Sequence, residues 1–496
     1  MHHKDIKSQI REQLKNNYPN WRNLIFKEKR AIAKKVLKEA IRGYDFTQEV
    51  EAPIEKLLCI EEQMPTAGIM NLESMARFIK NHHNSMLYKI NKKQDAIYNR
   101  DKELRFIDDL LDEQIINKLL SYNGYTPSMR EFFPNNFLRA ELLKAIKYSE
   151  ISYRKYCSDE YMGMHQKRNR LFIGLALNTN SLISHVQLSQ FRSGLSFTQM
   201  VNLTVYILHH FFQKGLLGDQ VLHAVDSTEL ASECQKLLAS IEINGKKIRI
   251  YNDIDCDCGK RRNKRDKSVY VVGYRVHTLA AINAKTGHSF PLISLLAPAN
   301  HHDSNFLVLL IKLGKAIGLD LKLITADEAY HDNEGTLLKE TGVHLITPPK
   351  AKASIPENVD TETMQVTCHD MCTIPMEHMG VEEQGHEFKC GAPAGECPYA
   401  DNCPQYRFIP LDSGLFQRIP YDTDYVQKTV EIRKHAERPF NLIKNREGLE
   451  KVRVRSQHSL LARCSFTIIT TLLLEMVGTR RKKKPKSKQM QLVAVQ

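Results

Sequence analysis

The sequence predicts an α/β protein: a mixed sheet flanked by helices, preceded by a helical region and interrupted by a cysteine-rich insertion. Three observations carry that prediction. Residues 1–220 place apolar side chains at three-and-four spacing among many charges. From 221 to 347, β-branched and aromatic runs alternate with short amphipathic stretches. Between 348 and 421 this periodicity gives way to Pro, Gly and five cysteines. The division that follows is a helical region at 1–220, a sheet domain at 221–478 holding the 348–421 insertion, and a basic tail at 479–496.

In the helical region, 25–41 sets Ile32, Val36, Leu37, Ala40 and Ile41 on one face, and Gly43 follows as a stop. Residues 104–120 repeat the pattern with Ile107, Leu110, Leu111, Ile115, Ile116 and Leu119, and 197–217 form a third apolar segment. The first strand, 221–225, ends at Asp226-Ser-Thr. A long strand at 269–282 turns at Lys285-Thr-Gly287 into a third at 290–296. Asp303 or Ser304 caps a helix through Leu307, Leu310, Ile311 and Leu313 toward Gly318. A fourth strand, 321–325, ends at Asp327, a short helix at 333–340 stops at Gly342, and a fifth strand at 343–347 closes at Pro348-Pro349. From Asp424 a long helical segment carries Glu437. The apolar stretch 464–478 is short for a membrane span and contains Glu475, so it reads as a buried helix.

Three antiparallel strands followed by alternating helices and strands build a sheet with a mixed edge. In the order 3-2-1-4-5, strands one and four are neighbours, which sets Asp226 and Asp327 side by side and lets the final helix bring Glu437 to them. Three carboxylates at one point repel unless a cation sits between them. Oxygen donors of this kind suit Mg²⁺ or Mn²⁺, and two such ions support in-line attack at phosphorus. On a helix, Arg433, Glu437 and Lys444 fall within about 40° of one another, a spacing that by itself also suits a surface salt-bridge ladder; beside a metal-binding carboxylate it sets both cations to flank the site as phosphate contacts. Glu328 is the lesser candidate beside Asp327, because adjacent residues on an extended strand face opposite ways. His301, His302 and Asp303, leading into a helix, read as loop and cap residues.

The chain carries 71 Lys and Arg against 57 Asp and Glu, a formal charge of +14, which fits either a polyanionic partner or a generally basic protein. The cluster Lys260, Arg261, Arg262, Lys264 and Arg265 reads as a loop near the acids and hence a DNA contact; the tail run from Arg480 to Lys488 offers at most nonspecific phosphate attraction. The N-terminus shows no apolar export segment, and eleven cysteines without one point to reduced thiols in a cytoplasmic protein with no membrane association. In the insertion, Cys368, Cys372, Cys390, Cys397 and Cys403, with His369, His378 and His386 nearby, supply four thiolates, or three and an imidazole, for a structural Zn²⁺.

With those residues in place, the chain resembles the bacterial insertion-sequence transposases of the DDE type. Their catalytic domain is RNase H-like, and one branch is marked Tyr-x2-Arg-x3-Glu-x6-Lys. Arg433, Glu437 and Lys444 match that register, while Val430 stands where the pattern has Tyr, so an aromatic DNA contact is either missing or supplied elsewhere. Gly273-Tyr-Arg-Val-His277, Ala299-Asn-His-His-Asp-Ser304 and Ala326-Asp-Glu-Ala-Tyr330 also look like the family, over roughly 226–451. The resemblance implies cleavage of double-stranded DNA at element ends and strand transfer into a target, catalysed by Asp226, Asp327 and Glu437. It also implies a homo-oligomer assembled on nucleoid DNA, with the N-terminal region serving recognition and assembly.

Overall fold

The computed structural model describes residues 6–42, 68–82, 100–121, 132–216, 221–243, 246–262, 268–330, 332, 336–348, 358–359, 365–368, 374–382, 385–392, 403, 405–410, 423–440, 451–452 and 457–481. Lys264, Arg265, His369, Cys372, Cys397, Lys444 and the tail beyond Arg481 lie outside them.

Among the described residues the helical region comprises α1 (Ile6–Asn17), α2 (Phe26–Arg42), α3 (Leu72–His82), α4 (Lys102–Leu110), α5 (Glu113–Ser121), α6 (Pro134–Lys147), α7 (Lys167–Ile173), α8 (His185–Gly194) and α9 (Phe197–Gln213), besides three single turns. The predicted helix over 104–120 is two helices. Asp112 ends the first run because its carboxylate accepts the Gln114 and Ile115 N–H groups, at 3.0 and 3.3 Å, and so caps α5. Helix α9 starts at a capping box, in which the Ser196 hydroxyl accepts from Gln199 N–H and the Gln199 amide returns the bond to Ser196 N–H. Its apolar residues run all round the helix, so it sits in the core.

One mixed sheet follows. Its central strand, β1 (Val221–Ser232), pairs antiparallel with β5 (Ser268–Asn283), which pairs antiparallel with β6 (Ser289–Pro298). On the other side β1 runs parallel to β7 (Leu323–Ala326), and β7 parallel to β8 (His344–Ile346). The five strands read from the pattern therefore stand in the order 3-2-1-4-5. Two more join them: β4 (Asp257–Arg262) along the early half of β5, and the two-residue β12 (Lys451–Val452) beside the end of β1. Two expectations change here. The first strand continues six residues beyond Asp226, so this acid lies mid-strand. The basic stretch 260–262 is strand β4 rather than loop, and Lys260 pairs with Tyr270, eight residues along β5 from the partner of Asp226. That is about 27 Å along the strand, so Lys260, Arg261 and Arg262 lie on a part of the sheet far from the acids.

Helix α10 (Leu307–Ala316) and the short α11 (Thr336–Thr341) cover one face of the sheet, and α12 (Thr423–Arg433) the other. Helix α13 (Gln457–Arg481) packs against β6 and against α6, α8 and α9. It is long and apolar enough to cross a membrane, but 83% of its apolar window is buried inside the protein, as expected of a core helix. Inside it the Thr467 and Thr471 hydroxyls donate to the carbonyls four residues earlier, hiding polar atoms in the core. One hydrophobic core extends from Met75 through the sheet to Val477, so position 220 marks a change of secondary structure and not a gap between cores.

Two smaller cores stand apart from it. Helices α1 and α2 close over a hairpin, β2 (Leu237–Ile243) and β3 (Lys246–Tyr251), through Leu14, Trp21, Val36, Leu37, Leu238 and Ile248. The hairpin's sequence signal is Asn244-Gly245 between two apolar runs. In the insertion, β9 (Met376–Glu382), β10 (Gly385–Cys390) and β11 (Tyr406–Pro410) form an antiparallel sheet over a core that, among the described residues, has six buried hydrophobic side chains.

Candidate active site

Alternation along β1 puts Leu222, Ala224 and Asp226 on one face, opposite Ile282, Ala280 and Thr278 of β5. Ala224 and Ile282 meet Ala436, with Ile432 beside them. These small side chains let the chain after α12 lie close on the sheet. Two further contacts hold it there: Ser289 Oγ donates to the His435 carbonyl at 2.6 Å, and Arg438 donates to the Gly287 carbonyl at 2.9 Å. Gly287, at φ +64°, is required at this approach, since a Cβ there would stand 2.7 Å from His435 Nε2.

Strand β7 follows β1 up to the pair Val225–Ala326 and then stops. Asp226 and Asp327 are the next residues on these two strands, whose spacing is about 4.8 Å. Beyond them, among the described residues, β1 has no partner on this side until Ala231 meets Lys451. The gap is a crevice at the carboxyl end of a parallel strand, the usual place for a ligand in such sheets. Burial pushes the Asp226 carboxyl up to about 7, with Asp327 and more weakly Glu437 adding to the rise, and Ser227 N–H and Arg433 opposing it. Asp327 is also raised, by burial and then by Asp303, against Arg433 and Arg275. The guanidinium of Arg433 thus acts on both aspartates, while the exposed Glu437 acts on Asp226.

Arg433 and Glu437 reach this point by a route other than the predicted continuous helix. Helix α12 ends at Arg433, and Lys434–Ala436 form a 3-10 turn that advances about 120° per residue instead of 100°. The tighter turn is what seats Ala436 against the sheet and turns the His435 carbonyl to Ser289. Val430 lies half-buried on α12. Glu328 is exposed at the start of a 3-10 turn, Glu328–Tyr330, and not on an extended strand. That turn holds Asp327 by two bonds: Ala329 N–H to its carboxylate at 3.2 Å and Tyr330 N–H to its carbonyl at 3.1 Å.

The opposite face of β1 carries a polar network that pattern reading missed. Arg275 donates to both oxygens of Asp303 at 2.9 Å and to Glu229 at 2.9 Å. Asp303 also accepts from Ser227 Oγ at 3.1 Å. Burial works to lower the Arg275 pKa, but Asp303 and Glu229 outweigh it and keep the guanidinium firmly charged. Fully buried His277 stacks on Phe306 and bonds Tyr330 Oη through Nδ1 at 2.8 Å. Burial, with Arg275 next, holds this imidazole far below its ordinary pKa, so its 3.6 Å approach to Asp303 is no ion pair. Asp303 is therefore not a cap; the cap at this turn is His302, whose side chain accepts from Ser304 N–H. Ser227 N–H bonds the Asp226 carboxylate and Tyr330 ends the turn of Asp327, so the network braces both acids from behind. The signal for it lay in the stretches 273–277 and 299–304.

A second candidate site lies in the insertion. The sulfurs of Cys368, Cys390 and Cys403 all lie within 4.8 Å of one another, and together they could hold a metal ion. Gln405 N–H points at Cys403 Sγ from 3.5 Å, the kind of amide contact that steadies a metal-bound thiolate. His378 and His386 instead bond each other, at 3.1 Å. A scan of known protein families finds no match to the chain, and a search of curated proteins finds none either.

Proposed function

We propose that the chain is a DDE-type DNA transposase with an RNase H-like catalytic domain, acting with two Mg²⁺ or Mn²⁺ ions. The observation that carries this reading is the pair of buried Asp226 and half-buried Asp327 at adjacent strand positions, both under the influence of Arg433, with Glu437 acting on Asp226. The donors fit hard divalent ions. Carboxylates pushed upward by burial and by neighbouring acids are short of positive charge, and a cation between them relieves both burial and repulsion. Bound ions would activate the attacking oxygen and stabilise the leaving one.

The chain's own residues orient and shield. Asp226, Asp327 and Glu437 define where the reacting phosphate sits, and Arg433 neutralises its non-bridging oxygens. Water adds to phosphorus as the P–O3′ bond breaks, leaving a 3′-hydroxyl and a 5′-phosphate. That hydroxyl then attacks a target phosphodiester, and the target's 3′-oxygen departs with a proton. The test is incubation with a duplex carrying the DNA that flanks this reading frame, in Mg²⁺, scored for 3′-hydroxyl ends and joined products. Nicks without joining would make the chain a metal-dependent nuclease, and binding without nicks a noncatalytic DNA-binding protein.

In the same reading the insertion holds one structural Zn²⁺. Among the described residues the insertion's core holds six buried hydrophobic side chains, and thiolate coordination would add stability to so small a cluster. Elemental analysis should find about one zinc per chain, lost in Cys390→Ser/Cys403→Ser together with resistance of the insertion to protease. Zinc-free protein with a protease-resistant insertion would remove this assignment.

A further inference from the structure

The unit built from α1, α2 and the β2–β3 hairpin presents a basic face on α2, away from its own core. Helix α2 spends its apolar side on its own core through Ala33, Val36, Leu37 and Ala40. Its outer side exposes Lys27, Arg30, Lys34 and Lys38. At 100° per residue Lys27, Lys34 and Lys38 fall within about 40° of one another, with Arg30 beside them, along about 16 Å of axis. Among the described residues none of these four makes an ion pair. The acids of the helix are otherwise engaged: Glu28 accepts from Ile25 N–H at 3.0 Å, and Glu39 faces Lys35 at 3.9 Å. From the hairpin side, exposed Lys236 reaches over the Phe26 ring at 5.7 Å and carries the positive charge onward.

We propose that this face of α2 binds duplex DNA along its phosphate backbone, independently of sequence and apart from the acids. The argument is charge complementarity. A ridge of uncompensated cations some 16 Å long meets, in DNA, one negative charge per about 1.7 Å of axis, and each neutralised phosphate releases counterion. A membrane surface fits less well, because a helix that lies in a lipid interface needs a free apolar face, and that of α2 is already buried. The choice of DNA as partner rests on the transposase reading, but binding by this face needs no catalysis.

The experiment is fluorescence anisotropy of the full chain with a labelled 30-base-pair duplex in EDTA, across a salt series. It compares the natural protein with Lys27→Gln/Lys34→Gln/Lys38→Gln. The variant should bind about 10- to 100-fold more weakly at low salt, with the slope of log affinity against log salt shallower by up to about 3. Trp21, the chain's single tryptophan, lies inside this unit's core, so unchanged emission shows that the variant is folded. Unchanged affinity and slope in a folded variant overturn the proposal. So does a loss confined to phosphatidylserine vesicles, which would make the face a membrane contact. Cleavage scored separately in Mg²⁺ keeps the readings apart: if the natural protein does not cleave DNA there while the triple variant still loses binding in EDTA, the catalytic reading fails and this one stands.

Discussion

Replacing Asp226, Asp327 or Glu437 with Ala is expected to abolish Mg²⁺-dependent cleavage while DNA affinity changes little. Positioned divalent ions contribute several kcal/mol to such a reaction, roughly a thousandfold or more in rate. Asp226 offers a second readout that a merely structural role would not produce. Its carboxyl titrates near 7 in the folded protein against about 3.9 in an unfolded chain. Because the folded state holds this proton more tightly, the metal-free fold bears no penalty below about pH 4. The penalty grows as pH rises through the unfolded value and is complete above about 7, where it amounts to about 4 kcal/mol. Asn keeps the oxygen that accepts Ser227 N–H but carries no charge. Asp226→Asn should therefore raise the melting temperature in EDTA at pH 8, change it little at pH 4, and still eliminate cleavage. Full cleavage by Glu437→Ala would remove that residue from the centre; equal melting temperatures at pH 8 would mean that Asp226 is not under the electrostatic load described.

Arg433→Ala is expected to slow single-turnover cleavage at saturating DNA by roughly 10- to 1000-fold, the range for a donor aimed at charge that develops in the transition state. Affinity should fall much less. Arg433 lowers the pKa of both aspartates, so its loss should also shift the acid limb of the pH–rate profile to higher pH. Arg433→Lys should recover the pH profile better than the rate, since an ammonium restores the charge but not the forked donors. An unchanged rate and profile in Arg433→Ala would reduce the residue to an ordinary surface cation.

The sheet was largely legible in the sequence, and the reason is local. Alternation with period two and helical spacing with period 3.6 are set by covalent geometry, so the runs at 269–282 and 290–296 and the helix through Leu307 declare themselves residue by residue. Strand ends were less legible. The apolar run of β1 stops at Val225, but the strand continues through Asp226, Ser227 and Glu229 because their polar side chains find partners or a crevice, which no neighbour in sequence reveals. The same limit hid the helix break after Arg433, where docking of Ala436 on Ala224 and Ile282 outweighs the preference for a straight α-helix.

What the sequence determined by itself was the α/β class, the periodic runs of five strands and the helix through Leu307, and the two aspartates that follow the first and fourth of those runs. Each follows from periodicity and the rules of chain connection. What only the tertiary structure decided were contacts between distant segments. These are Arg275 clasping Asp303 behind the acids, the N-terminal helices closing on the β2–β3 hairpin, and the gathering of Cys368, Cys390 and Cys403 from three separate segments. A charged or thiol side chain has no periodic signature, and its partner is chosen by burial, which exists only once the chain has folded.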